Sequence, residues 1–183
     1  MIKAIIALIF LFTIDNIIVI FFPVQSIFVD YTIVPYMLLA GMCIAVFYDE
    51  KNYTTWLAVI FGLIYDVYGS NLIGIYTVIF PIIILLMKKY IVPVTPVNFV
   101  SIFYAMTVSI LAVEIVIYFL VMIIIPTRSL SLHGHINFIQ YRLILTLIFN
   151  MCLLAVSYWP LVKFLKPKHE KKLKTIMMDN TVS

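Results

Sequence analysis

Charge is scarce in this chain. Lys, Arg, Asp and Glu make up 11% of its 183 residues, against about a quarter in an ordinary soluble domain. Glycine is also thin, at five residues, and there are only two cysteines, Cys43 and Cys152. With 65% hydrophobic residues, a chain of this size cannot hide its apolar surface in one core. Lipid can solvate it, so a soluble globule is excluded. The sequence has no glycine-rich phosphate loop, no Cys-x-x-Cys pair and no G-x-S-x-G elbow. Both cysteines fall inside apolar runs and read as small buried hydrophobes. His133-Gly134-His135 offers two possible metal ligands and no more, which is a weak zinc signal. These absences lead us to expect no enzyme, no metal and no cofactor.

What is present is a succession of long apolar runs. A bilayer core of about 30 Å needs about 20 helical residues, which converts runs into spans. The first is about Ala4–Phe22, stopped by Pro23, with Lys3 ahead of it and no small-residue cleavage site, so it reads as an uncleaved helix. The second is about Ile33–Tyr48, with Pro35 in its first turn. A charged turn at Asp49-Glu50-Lys51-Asn52 precedes a third span capped by Thr54 or Thr55, with Trp56 at interface depth. The third and fourth spans form a short pair between Thr55 and Met87, broken at Gly69-Ser70-Asn71. Such a break is tolerable at membrane depth only if protein or water covers its backbone. Lys88-Lys89 ends the fourth span, and Thr95-Pro96 resembles an N-cap followed by proline at the first helical position. The fifth helix runs about Val97–Ile125, and the sixth about Phe138–Leu161 with Asn137 as its cap. The predicted fold is an all-α bundle of about six transmembrane helices, with residues 1–162 as one membrane domain and 163–183 as a basic tail.

Orientation follows from counting cations. With both termini in the cytoplasm, Lys3, Lys51, Lys88, Lys89 and six tail lysines (Lys163, Lys166, Lys168, Lys171, Lys172, Lys174) lie inside, and only Arg128 and Arg142 outside. That is the positive-inside pattern, and it accounts for the +4 net charge without nucleic acid. The aromatics are scattered, and most read as lipid-facing or interfacial.

Four ionisable residues fall within apolar runs: Asp15, Asp66, Glu114 and Arg142. Charge at that depth is costly and asks for a reason. Asp15 and Glu114 fall near mid-membrane, and Asp66 and Arg142 in the outer third. An Asp66–Arg142 ion pair is the least costly way to bury both; a ligand or ion site at Asp66, or contact with a partner's helix, are the other readings. Glu114 shares a helix face with Thr107, seven residues away. It is either protonated or hydrogen-bonded within the bundle, or it borders a cavity or partner. Ser101, Ala105 and Ser109 form a small-xxx-small stripe on another face, of the kind that lets helix backbones approach closely in lipid. The stripe is a candidate seat for a partner helix.

The segment Gly62-Leu63-Ile64-Tyr65-Asp66-Val67-Tyr68-Gly69-Ser70-Asn71-Leu72-Ile73-Gly74 resembles the rod shape-determining MreD family. That family carries a Gly-x-x-x-Asp segment followed by a Gly and a Leu-x-Gly-like turn, here Gly62, Asp66, Gly69, Leu72 and Gly74. Chain length, span layout and basic tail agree, so the resemblance covers nearly the whole chain. It implies a non-enzymatic scaffold in the bacterial cell membrane that associates with MreC, a single-span protein. Beyond MreC it implies an elongation complex with actin-like MreB, a RodA-type glycosyltransferase and a transpeptidase in peptidoglycan synthesis. A different class of protein also has six helices and this size: the substrate-binding S component of an energy-coupling-factor transporter, whose pocket would lie where the Asp66–Asn71 break and Arg142 sit. A lipid-modifying membrane enzyme is a third reading, and it lacks a convergent His/Asp/Ser set.

Overall fold

In the computed structural model, residues 2–21, 34–49, 52–69, 74–124 and 142–165 are described. They form six α-helices and no strand: α1 (Ile2–Phe21), α2 (Met37–Val46), α3 (Tyr53–Gly69), α4 (Ile75–Leu86), α5 (Phe99–Ile124) and α6 (Ile144–Leu165). A π-helical turn, Met87–Ile91, extends α4. Segments Ile2–Ile20, Phe99–Leu120 and Ile144–Leu165 are long and apolar enough to cross a membrane. The protein is an all-helical membrane bundle.

α2 is its axis. All ten of its residues are buried, and it touches each of the other five helices. A helix apolar all round has no stripe to turn toward water, so it belongs where every side meets protein. At about 1.5 Å per residue it is only ~15 Å long. The expected second span, Ile33–Tyr48, is shortened because Val34-Pro35-Tyr36 is not helical. Around α2, the hairpin of α3 and α4 is the most extensive pairing, and α1, α5 and α6 close the remaining sides. The outward faces of α1, α5 and α6 carry large apolar side chains, among them Phe10, Ile20, Val100, Phe119, Ile148 and Val156. That is the surface lipid accommodates.

Several helix starts differ from the sequence reading. Asp49, rather than Thr54 or Thr55, caps α3, its carboxylate accepting the Tyr53 and Thr54 N–H groups at 3.1 and 2.8 Å. Asn98, rather than Thr95, caps α5 through the Ser101 N–H at 2.8 Å. Helical backbone continues past Lys88-Lys89 because the π turn carries the chain to Ile91. α6 extends to Leu165, so Lys163 stands on a helix with its ammonium 5.6 Å from the Trp159 ring centre. The aromatics are less scattered than expected. Tyr65 and Tyr76 meet edge-on with centroids 4.8 Å apart, Phe80 and Phe12 join them, and Tyr36 is fully buried. Cys43 is buried as expected, whereas Cys152 is exposed on α6.

One end of the bundle gathers the described lysines. Lys3 lies 5.9 Å from the Phe164 ring centre, and Lys88 pairs with Asp49 at 3.6 Å. The starts of α1 and α3 and the ends of α2, α4 and α6 therefore share one end. The loops expected at Gln25–Thr32 and Thr127–Ile136, with His133 and His135, lie outside the described residues, as do Leu72 and the tail beyond Leu165.

Candidate functional site

Five of the eight buried polar residues, Asp15, Asp66, Glu114, Thr146 and Asn150, gather in the half of the bundle opposite the lysine-rich end, where α2 and α4 begin. Two aspartates have the same task there. Asp15, on α1, accepts the N–H groups of Met37 and Leu38 through its two oxygens, both at 2.9 Å. Asp66, on α3, accepts those of Tyr76 and Thr77, also at 2.9 Å, and the Thr77 hydroxyl at 2.6 Å. The first N–H groups of a helix have no partner within it, and a carboxylate there also meets the positive end of the helix dipole. Each aspartate thus caps the N-terminus of the helix that follows its own.

The Gly-x-x-x-Asp spacing now has a physical meaning. Gly62 and Asp66 are one turn apart and face α4 together. A Cβ on Gly62 would fall 2.5 Å from the Tyr76 carbonyl oxygen and 2.8 Å from the Thr77 Cα. The glycine lets the backbones touch, and the aspartate bonds the N–H groups brought within reach. Gly74 stands at the N-cap of α4 with φ +104, a left-handed conformation that favours glycine.

Around Pro35 the non-helical backbone is fully accounted for. The Val34 N–H donates to Thr146 Oγ1 at 3.4 Å, and the Val34 carbonyl accepts from Asn150 Nδ2 at 2.8 Å. The Pro35 carbonyl accepts from the Tyr65 hydroxyl at 3.0 Å, and the Tyr36 N–H donates to Asn150 Oδ1 at 2.6 Å. Irregular backbone inside a membrane survives only under such cover. Asn150 and Thr146 were missed in the sequence, although a lone Asn in an apolar helix is the signal that would find them.

The expected Asp66–Arg142 pair is not what forms. Arg142 Nε donates to Glu114 Oε2 at 2.8 Å, and the Tyr36 hydroxyl donates to Glu114 Oε1 at 2.8 Å. Asp66 is engaged by the start of α4 instead, because backbone N–H groups can neutralise a carboxylate without any cation. Glu114 is fully buried and takes the bundle-internal reading, while Thr107 on the same face reaches the Met151 sulfur at 3.6 Å. The stripe Ser101, Ala105, Ser109 is likewise spent internally. All three are buried, and Ser109 lies 3.6 Å from Cys43 Sγ and 3.4 Å from Met87 Sδ. The close approach that small residues permit is used by α2 and the π turn, so the stripe is not an outward seat for a partner.

Chemically, every oxygen of Asp15, Asp66 and Glu114 receives a donor from this chain. Carboxylates so engaged hold helices in register. Among the described residues no group of three or more His, Cys, Asp or Glu is placed to hold a metal ion.

No curated protein and no solved structure matches the chain. A family model described as rod shape-determining protein MreD matches residues 1–168. Gly62, Asp66, Gly69 and Gly74, the described polar and glycine positions of the motif first noticed in the sequence, sit on α3 and at the start of α4. Since the match spans nearly the whole chain, the protein belongs to the MreD family and serves in rod shape determination.

Proposed function

We propose that the protein is a non-enzymatic scaffold of the bacterial cell membrane that holds the transmembrane helix of a MreC-like single-span protein within the peptidoglycan elongation machinery. The single observation that carries this reading is the closure of the polar core: Asp15, Asp66 and Glu114 are each engaged by donors of the same chain. Those groups hold α2 and α4 in place and are not left facing a substrate. What the bundle then offers is its outer apolar face, on α1, α5 and α6. Lipid gives no hydrophobic drive for helices to pair, so affinity there comes from close packing. Contacts with the MreB, RodA and transpeptidase components follow through that partner. The lysine count orients both termini toward the cytoplasm, in a multi-pass arrangement.

Affinity capture of the tagged protein, co-expressed with a MreC-like protein and solubilised in mild detergent, tests the reading. The single-span protein is expected to be retained in proportion to the bait. Retention of a tightly bound small molecule without it would favour the transporter-subunit class instead.

A further inference from the structure

Between α4 and α5 the surface opens into a groove of about 290 Å³. Its walls include Ile83, Leu86, Met87, Tyr90, Tyr104 and Val108. The π turn shapes it, since Met87, Tyr90 and Ile91 all line the groove and all lie on that turn. Single π turns inside helices often accompany functional sites. Ser109, the polar side chain at its floor, is occupied by the Ala105 carbonyl at 2.7 Å and by the Met87 sulfur. The interior is thus apolar, and its position on a lipid-facing flank gives it an apolar neighbour.

A cation stands beside the groove. Lys89 is exposed, and its ammonium stands 5.1 Å from the ring centre of Tyr90, itself a wall of the groove. Neighbouring Lys88 is committed elsewhere, donating to the Asp49 carbonyl at 3.0 Å and pairing with its carboxylate. Both lysines belong to the end assigned to the cytoplasm, where anionic lipids concentrate. An acyl chain suits an apolar slot on a lipid-facing flank, and the cation beside its Tyr90 wall complements a phosphate. We infer that this groove is a docking site for one anionic phospholipid, its acyl chain between α4 and α5 and its headgroup at Lys89.

Native mass spectrometry of the protein in detergent, supplied with phosphatidylglycerol or phosphatidylethanolamine, tests this. The unaltered protein should retain phosphatidylglycerol about fivefold more than phosphatidylethanolamine, the order expected of one lysine near an anionic headgroup. Lys89→Gln should bring the two lipids level. Val108→Trp, on the exposed flank, should displace both lipids while leaving the melting temperature near that of the parent. The inference is overturned if Lys89→Gln keeps the preference. It is equally overturned if Val108→Trp melts like the parent and still carries lipid, or if that variant loses a co-purifying protein and no lipid.

Discussion

Glu114 and Arg142 show how a charge is kept inside a membrane bundle. Glu114 is fully buried, and the Arg142 side chain is 28% accessible, so the pair spans from the interior to a solvated edge. Removing one partner leaves the other unpaired, which costs about 3–5 kcal/mol for a buried pair. Glu114→Gln and Arg142→Gln should each lower the thermal stability of the detergent-solubilised protein, and the double variant should regain part of the loss. Asp66→Asn combined with Arg142→Gln should instead give additive losses, since Asp66 is tied to α4. Asp15 permits a second test. Asp15→Leu strands the Met37 and Leu38 N–H groups in an apolar setting, at about 1–3 kcal/mol for each group left unsatisfied. Asp15→Asn keeps one acceptor oxygen and should fall between the two in melting temperature. The sequence exposed all four of these charges, because charge inside an apolar run stands out. It did not show their partners: helix N–H groups are invisible as residues, so Asp66 invited a search for a cation.

At the level of the helix, the α3–α4 hairpin rests on contact between backbones. Gly62→Ala would drive a methyl group into the Tyr76 carbonyl, which cannot rotate aside as a side chain could. α3 and α4 would have to separate and loosen the Asp66 cap, so a loss of about 1–3 kcal/mol is expected, read as earlier melting in size-exclusion thermal scans. Ala105→Leu and Ser109→Leu should behave similarly, reducing folded yield before they affect any association, because both positions are buried in the core and Ser109 packs against Cys43 and Met87. Undiminished stability in those variants would mean that α5 packs differently. Six helices were legible in the sequence from run length alone, and the α3–α4 break from its Gly, Ser and Asn. The true start of α2 was not. Pro35 is compatible with a first turn, and only Asn150, Thr146 and Tyr65, distant in sequence, reveal that the backbone there is bonded from outside.

For the whole molecule, orientation and partnership both have direct readouts. Single cysteines placed in a background lacking Cys43 and Cys152 should react with an impermeant thiol reagent in intact cells at 25–32 and 127–136. They should stay protected at 88–98, on the lysine-rich end. Labelling at 88–98 would invert the bundle. The central claim is that this protein acts by holding another membrane helix, its own acids being consumed in holding α2 and α4. The measurement closest to that claim is the intact mass of the protein released from its native membranes under non-denaturing conditions. The account predicts a species containing this chain and a single-span membrane protein in fixed stoichiometry, insensitive to added small molecules. A species of this chain alone, carrying one tightly bound small molecule, would contradict it.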